Sequence, residues 1–139
     1  MAVTLPSLAV ANESAEHARQ VRADWLFSLQ DGVVSMFDII TQACEPDGRP
    51  LLRIGLVRLL EHQDGWSRHA AITTINQTLR LLSLPELSAR GAAKLTVQWL
   101  VDARSGGRRQ LAFADAMDSK TQLPWPGFPY SPQQEGATA

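Results

Sequence analysis

The sequence predicts a mainly α protein, a small helical bundle with a helix-hairpin-helix-like turn near its middle. Three observations predict it. Apolar residues recur at three- and four-residue steps in successive stretches between Glu13 and Leu82. Residues that cap helices or form turns stand between those stretches. A chain of 139 residues has room for one core and not for two full domains. The expected organisation is a loose N-terminal arm over residues 1–12, a single helical domain over 13–118, and a proline- and aromatic-rich extended tail over 119–139.

Taken in order, Met1 to Asn12 is mildly apolar but has no Lys or Arg ahead of the apolar stretch, so it lacks the pattern of a secretory signal. Glu13 to Leu29 reads as a helix that buries Ala18, Val21, Trp25 and Leu29, and Asp31-Gly32 breaks it. Ser35, with Asp38 three places on, forms a capping box that opens a second helix through about Cys44, with Met36, Phe37 and Ile40 on its buried side. The turn-formers from Glu45 to Pro50 end it. A third helix is expected from Leu51 to about His62, with Leu52, Leu56, Leu59 and Leu60 as its apolar stripe and Arg49, Arg53 and Arg58 at other positions around it. Gln63-Asp64-Gly65-Trp66-Ser67 makes a tight turn into a fourth helix carrying Ile72, Ile75, Leu79 and Leu82. Leu84-Pro85 stops that helix, and Ser88 to Gly91 forms a corner.

Two readings fit the next segment. The alternation of Val97, Trp99 and Val101 suits a strand, with Gly106-Gly107 turning it back through Arg108 to Phe113 as a C-terminal β-hairpin. Alternatively Ala92 to Arg104 is a helix closed by the glycine pair, and Leu111 to Met117 starts another. The alternation slightly favours the hairpin. Pro124 to Tyr130 is excluded from regular structure by its prolines and is expected to lie across an apolar groove or to serve as a ligand for one.

The net charge of −1 hides a segregation along the chain. Residues 1–48 carry −5, residues 49–109 carry +6, and residues 110–139 carry −2. Eleven of the 13 basic residues are arginine, whose planar fork matches phosphate oxygens. No apolar run approaches the roughly 18 residues of a membrane span. Cys44 is the only cysteine, which rules out an internal disulfide and fits a reducing cytoplasm. His62 and His69 bracket the turn at a spacing unlike that of zinc ligands, and Asp115 and Asp118 read as helix-surface charges. Neither a nucleophile elbow, a phosphate loop nor a Ser-His-Asp arrangement is apparent, so the expectation is a non-enzyme without cofactor or metal.

Leu59-Leu60-Glu61 followed by Asp64-Gly65-Trp66-Ser67-Arg68 keeps the order and spacing of a helix ending in Leu-Leu-Glu, a glycine turn, a basic residue and another helix. With Arg53 in the place of a lysine, the stretch of about residues 23–82 resembles the actinobacterial integration host factor family, and Arg90-Gly91 resembles the Arg-Gly pair after that family's later helix, in a weak continuation to Lys94. Asp64 stands where that family has a proline, Ser67 where it has a second glycine, and Ala92 onward does not continue the pattern. The resemblance implies a nucleoid-associated protein of the cytoplasm that binds double-stranded DNA with little sequence preference. Its implied role is architectural or accessory to recombination or phage integration.

In such a turn, Gly65 lets backbone N–H groups approach a phosphate, while Ser67 and Arg68 add donors at the start of the following helix. Asp64 opposes this if it points outward, or caps the helix instead. Trp66 is either a stacking wedge or a plug between two helices, the plug being the commoner use. Arg53, Arg58, Arg90 and Lys94 complete the expected DNA surface on the helical part. Arg104, Arg108 and Arg109 would project from the hairpin tip into a groove, or belong to a solvated loop. The rival expectation is a protein-interaction module or a phage or host regulator, docking on a protein partner or self-associating, with Trp125, Phe128 and Tyr130 as aromatic anchors.

Overall fold

The computed structural model describes residues 4–121, with side chains from 8 to 118. Its elements are α-helices joined by two 3₁₀ segments, and among the described residues the only β pairing is an isolated bridge. No helix among them is long and apolar enough to cross a membrane.

Helix α1 spans Thr4–Gln30, so the stretch expected to be a loose arm is continuous helix from Thr4. The reason is local. Alanines at 9, 11, 15 and 18 favour helix, and Pro6 sits in the first turn, where its missing N–H breaks no hydrogen bond. Residues 8–17 are nonetheless all exposed, and only the second half docks on the fold, through Val21, Trp25, Leu26 and Leu29. The helix closes at Gly32, whose φ is +78°, with Gly32 N–H donating to Leu29 O and Val33 N–H to Ser28 O.

Helix α2, Met36–Ala43, starts at the expected capping box. Ser35 Oγ accepts from Asp38 N–H at 3.1 Å, and Asp38 Oδ2 accepts from Ser35 N–H at 2.8 Å. Met36, Ile39, Ile40 and Ala43 form its buried face, and Phe37, expected inside, is 48% exposed because it lies about 100° round the helix from Met36.

The third helix does not begin at Leu51. Pro46–Arg53 is a 3₁₀ segment, because Pro50 lacks the N–H that an α-helix would need there. It presses close to α2: a Cβ on Gly48 would lie 1.8 Å from Gln42 O. Leu51 is fully buried, Ile54 is extended, and helix α3 covers only Leu56–Glu61. Leu56, Val57, Leu59 and Leu60 are each at most 1% exposed, which makes α3 the centre of the core. Gly55 pairs antiparallel with Thr96, and Leu56 N–H donates to Leu95 O while Val97 N–H donates to Ile54 O.

Helix α4, Arg68–Leu81, buries Ala71, Thr74, Ile75, Thr78 and Leu79. It ends with the same hydrogen-bond pattern as α1, Ser83 N–H to Arg80 O and Leu84 N–H to Leu79 O, but Ser83 takes the left-handed position at φ +61°. A side chain there costs roughly 1 kcal/mol relative to glycine. Ser83→Gly is therefore expected to stabilise the protein by about that much, raising the melting temperature by roughly 3 °C in a calorimetric scan. An unchanged or lower value would mean that Ser83 is held by contacts that glycine loses.

Asn76 on α4 clamps the following loop, its side chain donating to Leu87 O at 3.0 Å and accepting from Leu87 N–H at 2.8 Å. Helix α5 is Ala89–Ala92, so the expected corner is a short helix capped by Ser88. The region read as a β-hairpin is helical. Helix α6 is Val97–Val101, capped by Thr96, with Val97 and Leu100 buried three residues apart. A 3₁₀ turn, Ala103–Ser105, leads through Gly106 and Gly107, both at positive φ, to helix α7, Arg108–Thr121. Phe113, Ala116 and Met117 bury α7 at helical steps, and its principal neighbour is α4.

Candidate nucleic-acid interface

The turn before α4 has the expected backbone. Gly65 adopts φ +81°, and α4 begins at Arg68. Ser67 is the cap, its Oγ accepting from Ala70 N–H at 3.0 Å, so the capping role weighed for Asp64 falls to Ser67. Trp66 is half-buried and packs against the core, which makes it the plug and not a wedge. Arg68 reaches back across the turn to Glu61, Nη1 to Oε1, at 3.2 Å. The hollow beside Gly65 is lined by Gln30, Glu61, His62, Gln63 and Asp64, which brings two carboxylates to that side, and Arg68 offsets the charge of Glu61 alone. A phosphate approaching there meets negative charge. The electrostatics of this turn thus oppose the use expected of it.

A second group comprises Arg53, Arg58, Arg90 and Lys94, the cations expected on the helical part of the DNA surface. The Gly55–Thr96 bridge sets the backbone around Arg53 and Arg58 beside that around Lys94, and α5 carries Arg90 just upstream. All four side chains are exposed, and none has an ion pair among the described residues. The bridge joins segments some forty residues apart in the chain, and a lone pairing of this kind has no local sequence signature.

The third group surrounds Gly106-Gly107. Arg104 bonds Asp102 through Nε and Nη2, the latter at 2.7 Å, and Asp102 also accepts from Arg104 N–H. The Arg104 side chain and N–H hold the Asp102 carboxyl well below the usual carboxylate range. With its folded value depressed, this group favours the folded state above the unfolded carboxyl value, and that contribution is lost only as pH falls through the lower folded value. Arg109 lies over the Trp99 ring, 4.6 Å from its centroid, and donates to Trp99 O at 2.8 Å. That arginine is a structural strut. Arg108 is exposed without an ion pair among the described residues.

The three arginines share a cleft of about 570 Å³ between the end of α4 and the start of α7, lined also by Leu81, Leu84 and Leu111. Helix α4 separates this cleft from the Gly65 turn. Its 14 residues span about 20 Å, so Arg104, Arg108 and Arg109 stand at the opposite end from Arg68 and do not form one surface with that turn.

Comparison with known proteins brings no match. No family model, no curated protein and no solved structure is significantly similar to the chain. Trp125, Phe128 and Tyr130 lie outside the described residues. Among the described residues no three His, Cys, Asp or Glu side chains gather as a metal site requires. Sequence reasoning missed Asp102 and Trp99, which order the Arg104 and Arg109 guanidiniums. The Asp-Ala-Arg spacing of a local capping turn was the available signal for the first, and none marked the second.

Proposed function

We propose that the protein binds the phosphate backbone of double-stranded DNA, with little sequence preference, through the cations around the Gly55–Thr96 bridge. The single observation that carries this reading is the convergence at that bridge of the segments bearing Arg53, Arg58, Lys94 and Arg90, all exposed and without ion pairs among the described residues. Cations without carboxylate partners exchange only water and counterions for phosphate, and counterion release drives such binding. The Gly65 turn plays a minor part, because Glu61 and Asp64 stand beside it. Arg108, without an ion pair among the described residues, supplies a secondary contact at the far end of α4. An architectural or recombination-accessory role follows the resemblance to the integration host factors.

Fluorescence anisotropy on random-sequence duplexes across a salt series tests the proposal. The parent is expected to lose affinity steeply with salt. Arg53→Ala combined with Lys94→Ala is expected to flatten the log–log slope by about 2 and to weaken binding similarly on every duplex. Arg68→Ala is expected to change little. A parent that binds no duplex at low salt, or a double variant indistinguishable from it, overturns the reading.

A further inference from the structure

We propose that the exposed face of α1 pairs antiparallel with the same face of α1 in a second copy of this chain. Residues 8–17 of α1 are exposed without interruption, although the second half of the helix is docked on the fold.

One exposed face runs the length of the helix. Leu8, Asn12, Glu16, Arg19, Ala23 and Phe27 follow one another at steps of four, four, three, four and four, which keeps them on one side. Every one of them is exposed, Leu8 at 58% and Phe27 at 64%. Leu26, five turns on from Leu8, marks the edge where this face meets the one docked through Val21, Trp25 and Leu29.

The opposite charges of Glu16 and Arg19 at the middle of that face make it complementary to a second copy of itself. Antiparallel packing about the midpoint between His17 and Ala18 sets Leu8 against Phe27 of the second copy, Asn12 against Ala23, and Glu16 against Arg19. Each contact then occurs twice, as an isologous interface requires. A parallel pairing in register would instead oppose Glu16 to Glu16 and Arg19 to Arg19, which charge repulsion disfavours. Within one chain Glu16 and Arg19 already pair on the surface, at 71% and 60% side-chain exposure, and exposed pairs of this kind are weak enough to exchange. In the dimer the four charges form one alternating cluster at the two-fold axis. The inference does not depend on DNA binding, and its test contains no DNA.

Light scattering coupled to size exclusion, on the full chain at roughly 100 µM, a concentration that saturates even a modest interface, is expected to give twice the chain mass of 15.2 kDa. Glu16→Arg and Arg19→Glu, each alone, place like charges together at the axis and are expected to weaken dimerisation at least about tenfold. Mixed in equal amounts, the two variants restore opposite charges and are expected to recover the dimer. A monomeric parent, or single variants that dimerise as the parent does, overturns the proposal. Should either variant misfold by circular dichroism, the covalent experiment decides. Leu8→Cys with Phe27→Cys, in a Cys44→Ser background, is expected to give a cross-linked dimer on mild oxidation, and its absence overturns the antiparallel pairing.

Discussion

Gly48→Ala is expected to lower the melting temperature by roughly 10 °C, corresponding to a loss of about 3 kcal/mol. The added methyl would sit 1.8 Å from Gln42 O and 3.1 Å from Ala43 Cα, and both neighbours are backbone of α2 that cannot swing aside. Gly48 shows no positive φ, so the penalty is steric and not conformational. Relief requires the 3₁₀ segment to lift from α2, which would expose Leu51, now fully buried. Thermal unfolding followed by circular dichroism measures the shift. A change of only a degree or two would mean that the segment and α2 separate readily, contrary to the packing described. Gly65→Ala, with open space around its Cβ, is a useful contrast because its cost comes from φ alone.

Phe113→Ala is expected to cost about 4 kcal/mol, the range for removing a buried phenyl ring, with a matching fall in the midpoint of chemical denaturation. Phe113 is 1% exposed and belongs to the main core, whereas Leu111 on the same helix is 69% exposed. Leu111→Ala should therefore stay within about 0.5 kcal/mol of the parent. The pair separates two architectures. On a strand, residues 111 and 113 share a face and their substitutions would cost alike. On α7 they lie about 200° apart, and only one reaches the core. Equal effects would rule out the helix.

Much of the helical architecture was legible because its signals are local. The Ser35–Asp38 capping box, the stop at Gly32, the turn at Gly65 and the burial of Ile75 and Leu79 on α4 each depend on residues within one or two turns of one another. The segment from Thr96 to Phe113 was misread toward strand because a five-residue helix is too short for three-fold and two-fold periodicities to diverge. Val97, Trp99 and Val101 satisfy the alternation, while Val97 and Leu100 make the actual buried pair. The 3₁₀ run at Pro46–Arg53 was hidden in the same way, its apolar Leu51 and Leu52 matching the start of the helix that follows.

The candidate site divides along the same line. Charge segregation, the arginine preference and the glycine turn are properties of sequence order, and they were sufficient to single out the central third of the chain. Which cations stand free and which are consumed was decided only in three dimensions. Glu61 takes Arg68, Asp102 takes Arg104, and Trp99 takes Arg109, whereas Arg53, Arg58 and Lys94, on the segments that the lone Gly55–Thr96 pairing joins, stay exposed without ion pairs among the described residues. Helix caps and stripes are written in neighbouring residues. Coulombic partners and bridge contacts depend on distances in space, and those exist only once the chain has closed around Leu56, Leu59 and Leu60.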